Sequence, residues 1–202
     1  MKDTQRQRTI ERIVDLELEM FKSVYSSVHT PCQDHLQTFR AMRWMTHSVM
    51  PQNVLDAYLD DLQEAKGYDR NLMVEKYARM EGRMPPIRES LLIDEIVDTE
   101  MAWMREMHSR YPALFESKGE TFRTYISCEL ETLSLNTLER LHSFVVDSRR
   151  AGRNLVEERY DNLFRHTGYE STAHRNQIEQ QRQNAQNTES AAKPTEADTG
   201  AA

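Results

Sequence analysis

The chain has 202 residues, of which 33 are acidic and 26 basic, for a net charge of −7. That balance argues against a generic nucleic-acid surface, which needs clustered Lys and Arg, and no run of about 18 apolar residues exists to span a bilayer. Two cysteines, Cys32 and Cys128, are too few for a disulfide framework, so a cytoplasmic protein with reduced thiols is expected.

Only 6 Gly and 6 Pro interrupt the chain, and the Val/Ile/Thr alternation of strands is hard to find. The fold class is therefore all-α. The N-terminus, Met1 to Arg8, runs into an amphipathic helix without the apolar block of a signal peptide. The first helix is expected over about Thr4–Val28, with Ile10, Ile13, Val14, Phe21, Val24 and Val28 on one stripe. A loop through Pro31 leads to a second helix near Gln37–Val49, with Phe39 and Met42 facing inward. The third starts at Pro51, suited to a first helical turn, carries Leu55, Tyr58, Leu59 and Leu62, and stops near Gly67. A short fourth follows over about Asp69–Met80. The segment Gly82 to Pro86, with its paired prolines, is a linker.

After the linker the plan repeats. At an offset of 83 positions, Ile10 to Glu17 lies over Ile93 to Glu100, Thr38-Phe39-Arg40 over Thr121-Phe122-Arg123, and Arg70-Asn71-Leu72 over Arg153-Asn154-Leu155. Glu75 and Tyr77 lie over Glu158 and Tyr160. Residues 10–80 and 93–163 share 16 identities in 71 ungapped pairs, where chance gives roughly four. Such self-similarity marks one supersecondary unit used twice. The reading is a single domain over residues 1–170, copy one 4–81 and copy two 88–169. Residues 171–202 are rich in Gln, Asn, Ala, Thr and Glu with one large aliphatic, Ile178, and are expected to be a disordered tail, with room for a frayed helical extension near its start.

Polar residues then stand where core residues belong. Glu17 lies four residues from both Ile13 and Phe21 on the apolar stripe, and Glu100 repeats the place between Ile96 and Met104. A carboxylate there must pair, protonate or bind something. Arg40 and Arg123 are the expected partners from the second helix of each copy. Asn71 with Glu75, and Asn154 with Glu158, share a face at i,i+4 spacing and could converge across a pseudo-two-fold axis. Two readings stay open for these groups: a structural network holding helices in register, and a polar pocket for a cationic or amino-acid-like ligand. A di-iron bundle needs Glu-x-x-His on two helices. Only Glu139-Arg140-Leu141-His142 fits, and its counterpart ends at Leu59.

Copy one alone carries the loop His29-Thr30-Pro31-Cys32-Gln33-Asp34-His35, where copy two has Pro112, Phe115 and Lys118 for His29, Cys32 and His35. Cys32 before a helix N-terminus favours a thiolate, and His35 or His29 could serve as its base. The same His-x-x-Cys-x-x-His spacing offers soft ligands, with Asp34 or His47 as a fourth, but matches no established zinc module, and no metal is assigned. Trp44 and His47, also confined to copy one, could wall a ligand pocket or simply pack. No phosphate loop, nucleophile elbow or dinucleotide motif occurs, so no cofactor is named.

Three segments resemble a known family: Cys32-Gln33-Asp34, the run Thr38 to Arg43, and Arg70-Asn71-Leu72-Met73-Val74-Glu75-Lys76-Tyr77-Ala78-Arg79-Met80. Glu129 to Thr132, Arg153 to Leu155 and His166 to Tyr169 are similar too. The family is one of helical proteins of roughly 200 residues known only as a domain of unknown function, and the likeness covers about residues 8 to 170. Its pattern has a second acid after Cys-Gln-Asp, where this chain has His35. The resemblance implies a helical fold and points to the Cys-Gln-Asp loop; it implies no activity.

The expectation is thus a small cytoplasmic enzyme acting on an amino-acid-like small molecule, of transferase or synthase type, with acyl or aminoacyl transfer as its chemistry. Cys32, His35 and Glu17 would be catalytic. Glu100, Arg40, Arg123, Asn71, Glu75, Asn154, Glu158 and Trp44 would bind substrate. The alternative is a non-catalytic helical binding or interaction module with a structural polar core. Neither needs a membrane, and both are compatible with a homodimer.

Overall fold

The computed structural model describes residues 2–24, 36–115 and 119–192. Among these residues there are nine helices and no strand: α1 Lys2–Phe21, α2 Leu36–His47, α3 Gln52–Gly67, α4 Leu72–Met80, α5 Leu91–Arg110, α6 Gly119–Leu130, α7 Leu135–Arg150, α8 Leu155–His166 and α9 Thr172–Ala192. Val28 and the loop His29 to His35 lie outside the described residues, as do residues 116–118 and 193–202.

Local chemistry sets the boundaries. Asn71 precedes α4 in an extended conformation and its side chain accepts from the backbone N–H of Met73 and Val74; Asn154 does the same for Glu157 at the start of α8. Each asparagine also donates across the fold, Asn71 to the Met20 carbonyl at 2.9 Å and Asn154 to the Trp103 carbonyl at 3.2 Å. The turn after α3 places Asp69 at φ 55, and the turn after α7 places Gly152 at φ 69. In each, the next residue's N–H returns to the helix end: Arg70 to the Ala65 carbonyl, Arg153 to that of Ser148.

Helix α2 and helix α6 begin and end 83 residues apart, and so do α3 and α7. The packing has the same pairing. Helix α1 packs on α2, α3 and α4, while α5 packs on α6, α7 and α8. Between the two sets α3 meets α7, α4 meets α6, and α2 meets α8. Under the 83-residue offset the last two contacts exchange and the first maps onto itself, which is the signature of a pseudo-two-fold axis. Side chains follow: Arg79 holds Glu131 at 2.6 Å across α4 and α6, and the corresponding Asn162 donates to Ser48 at 2.9 Å across α8 and α2.

One apolar core joins both sets, with Ile10, Ile13, Leu55, Leu62 and Leu72 fully buried from the first and Ile96, Met107, Leu138 and Leu155 from the second. No helix among the described residues is long and apolar enough to cross a membrane. The expected disordered tail is corrected over Thr172–Ala192, which forms a helix. Its first turns are anchored by polar rather than apolar groups. Thr172 is fully buried, with its N–H and hydroxyl both on Asp161 at 2.8 Å, and buried Asn176 accepts from the Ala113 N–H. A composition poor in aliphatics hides such an anchor, because the stabilisation comes from satisfied hydrogen bonds.

Candidate functional site: a closed carboxylate and an open one

Glu17 and Glu100 are both buried on the inner stripes of α1 and α5, as expected, but neither takes the expected arginine. Arg40 bonds Asp15 and Arg123 bonds Asp98, each at 2.6 Å on the exposed side of its helix pair. These two pairs form a matched surface clamp, since Asp15 and Asp98 also correspond. The inward guanidinium is that of Arg43, one helical turn further along α2.

Glu17 is completely enclosed. Arg43 donates Nε and Nη2 to its two oxygens at 2.9 and 2.5 Å, His47 Nε2 lies 3.1 Å from both, and the Tyr58 hydroxyl donates at 2.8 Å. Burial pushes this carboxyl up, but the Arg43 guanidinium and then His47 outweigh it and hold it at about 2 against an ordinary 4.5. Burial together with the Glu17 charge lifts the Tyr58 phenol well above its usual range, so it stays a donor.

Arg43 also reaches across to α6, bonding both oxygens of Glu129 at 3.0 and 2.9 Å. Glu129 in turn holds Lys76 of α4 at 2.5 Å, and that ammonium sits 3.4 Å from the Tyr125 ring centroid. Lys76 is 1% exposed. Burial opposes its charge, yet Glu129 raises its pKa on balance, so the ammonium persists. Arg43 and Lys76 likewise overcome burial to keep Glu129 well below the usual carboxylate range.

Glu100 has a sparser shell. Arg159 of α8 donates Nη1 and Nη2 to it at 2.8 and 2.6 Å. The positions matching Arg43, His47 and Tyr58 are Ile126, Leu130 and Leu141, which bring no donors. Beside Glu100 a cavity of about 740 Å³ opens between α2, α5, α6 and α8, within the roughly 300–1,000 Å³ usual for small-molecule sites. Buried Glu100 and Arg43, with half-buried Arg159 and Glu129, supply its charged wall. Most of the remainder is apolar, including Met42, Met45, Met50, Met104 and Phe122, with exposed Glu120 at its edge. Methionine walls adapt to irregular shapes. The Arg159 Nε itself is buried, with no accessible surface and no hydrogen-bond partner.

The remaining expected site residues fall elsewhere. Asn71 and Asn154 are helix caps. Glu75 and Glu158 face outward in ion pairs with Arg70 and Arg153 at 2.8 and 2.6 Å. These four do not converge, because each asparagine is held between its own helix start and a carbonyl across the fold, and each glutamate is held by an arginine on the surface. Trp44 lies against His166 with ring centroids 5.1 Å apart, outside the cavity wall. Met42, expected inward, is 37% exposed and edges the cavity. Cys32, His35 and His29 lie outside the described residues, and His47 is committed to Glu17. Among the described residues no three His, Cys, Asp or Glu side chains gather to hold a metal ion. Cys128 is a buried thiol whose pKa burial raises.

Arg43, Tyr58, Lys76, Glu129 and Arg159 were missed as site residues. For Arg43 and Tyr58 a signal lies in the 83-residue offset, where they and His47 stand over the aliphatics Ile126, Leu141 and Leu130; Lys76, Glu129 and Arg159 have no such signal.

Fold and site together define an all-helical protein in which two four-helix sets enclose a buried ion network and a cavity. The chain belongs to the family described as "Protein of unknown function (DUF4125)", whose model matches residues 7–177, the family type that its motifs resemble. No curated protein and no solved structure matches the chain.

Proposed function

We propose that the two helix sets descend from a tandem duplication and that, after it, their sites diverged: the first closed into a structural ion network, the second kept an open cavity that binds a small amphipathic molecule of amino-acid-like size and polarity. The duplication is supported by the ungapped 16 identities, the matched helix bounds and the exchange of inter-set contacts. The binding function rests above all on one observation, the cavity of about 740 Å³ beside a buried carboxylate that lacks three of its counterpart's donors. A protein gains nothing in stability from leaving such a space unfilled.

Binding is preferred to the acyl- or aminoacyl-transfer chemistry expected of Cys32 and His35. Among the described residues that line the cavity there is no cysteine, serine or histidine, so the nucleophile and base of that chemistry would have to come from elsewhere. Its two cysteines suit a reducing cytoplasm.

The test is Leu141→Tyr, which gives copy two the residue that Tyr58 provides in copy one. The larger side chain should donate to Glu100 and narrow the end of the cavity beside it. Wild-type protein should bind the uncharged apolar dye Nile red with one saturable site, and the folded variant should lose it at least tenfold. Equal dye binding by both would refute the cavity as the site.

A further inference from the structure

The positions that lost donors coincide with the cavity. Ile126, Leu130 and Leu141, which stand where Arg43, His47 and Tyr58 surround Glu17, all line the cavity beside Glu100. Their sizes tell the three apart. The guanidinium's part is already taken, since Arg159 donates to both Glu100 oxygens at 2.8 and 2.6 Å. Leucine and histidine are of nearly equal volume, so Leu130 fills the room of an imidazole. Leucine is smaller than tyrosine by most of a ring, so at Leu141 a ring-sized space and a missing O–H donor fall together. A carboxylate has about four acceptor positions, and Arg159 occupies two of those on Glu100.

A second ring is missing from the same cavity. In the first set Phe21 stacks on Phe39, with ring centroids 4.2 Å apart. The matching pair is Met104 and Phe122, and both line the cavity, so Phe122 stands there with a thioether in place of a ring partner. Aromatic rings pack favourably on other rings and on methionine sulfur.

The first set also shows the protonation state such a hydroxyl would keep. Tyr58 gives its O–H to Glu17 at 2.8 Å, and burial, then the Glu17 charge, hold that phenol protonated against the pull of Arg43. Glu100 and Arg159 present the same opposed pair of charges. The remaining charged groups that line the cavity are Arg43, Glu120 and Glu129.

Resting on the reading of this cavity as a binding site, we infer that its ligand is an aromatic molecule with a phenolic head, whose hydroxyl donates to Glu100 and whose ring takes the space beside Leu141 that a tyrosine fills in the first set. The ligand restores to Glu100 the donor that Tyr58 gives Glu17.

The test pairs 4-nitrophenol with 4-nitrotoluene, which has the same shape but a methyl in place of the hydroxyl, each competing with Nile red on the full-length protein at neutral pH. The phenol should displace the dye at a concentration about tenfold lower or more, as one hydrogen bond to a charged group provides. Only the phenolate of 4-nitrophenol is yellow, so its colour reports the bound form: wild type should shift the onset of yellow to higher pH. In Glu100→Gln that upward shift should disappear. Leu141→Tyr, whose own ring takes the place, should lose the preference for the phenol. Displacement by the toluene as efficient as by the phenol, binding of the yellow form in wild type, or no displacement by the phenol overturns the inference while leaving the cavity's dye binding intact. Absence of dye binding in wild type would instead remove the binding function on which the inference stands.

Discussion

Glu17 and Glu100 occupy the same place in two helix sets, four residues along the stripe from Ile13 and Ile96, and the surroundings have gone opposite ways. Around Glu17 the protein supplies every partner itself, and Arg43 extends the network to Glu129 and Lys76. Around Glu100 the same three positions are aliphatic, one ion pair remains, and a cavity is left. A buried charge tolerated in both sets thus does two jobs. Enclosed, it ties helices together; half-satisfied beside open space, it is the group we propose to recognise a ligand. The absence of donors matters as much as the carboxylate's presence, because unsatisfied polar atoms at a cavity wall are what a ligand can satisfy.

The comparison breaks most readily at Arg43, the cation that both Glu17 and Glu129 share. Arg43→Ala leaves two buried carboxylates short of a partner and should cost about 3–5 kcal/mol in urea unfolding. A loss under about 1 kcal/mol would mean that the closed network does not hold the fold. Next in size is the pH dependence. The Glu17 carboxyl is depressed in the folded protein, from 4.5 to about 2. The stability it lends is therefore present above the unfolded value and is lost as pH falls from about 4.5 toward about 2. Up to about 3 kcal/mol should disappear in that window, read as unfolding free energy against pH. Glu129 shifts in the same direction, so Glu17→Gln should flatten the acid limb without abolishing it.

Leu141→Tyr sharpens the other side of the comparison. By filling space and adding one hydrogen bond it should raise stability by about 1 kcal/mol in the same unfolding measurement while removing dye binding. Smallest of all are the matched surface clamps. Arg40→Ala and Arg123→Ala should each change stability by less than about 1 kcal/mol, because exposed ion pairs contribute little. A larger loss from either would relocate the structural role to the surface.

Much of the architecture was legible in the sequence. The offset of 83 positions carried the four-helix plan through both halves, and the apolar stripes of α1 and α5 exposed Glu17 and Glu100 as buried charges. The partners were misread for a physical reason. Arg40 and Arg123 were chosen because both halves keep them, but what both halves keep is the clamp to Asp15 and Asp98. The residues that distinguish the sites are those that differ, Arg43, His47 and Tyr58 over Ile126, Leu130 and Leu141. Lys76 and Glu129 were invisible from spacing alone, since they meet only when α4 packs on α6. Asn71 and Asn154 read as pocket residues because a shared helix face does not tell which end of the helix a side chain caps. Thr172 and Asn176 anchor α9 through a few hydrogen bonds that composition cannot register.

The measurement closest to the central claim is the urea unfolding free energy of Glu17→Gln and Glu100→Gln, determined side by side with the wild type. If one carboxylate holds the fold and the other lines a binding cavity, Glu17→Gln should lose about 3 kcal/mol or more and Glu100→Gln about 1–2 kcal/mol. Equal losses would contradict the account, since the two sites would then be serving the fold alike.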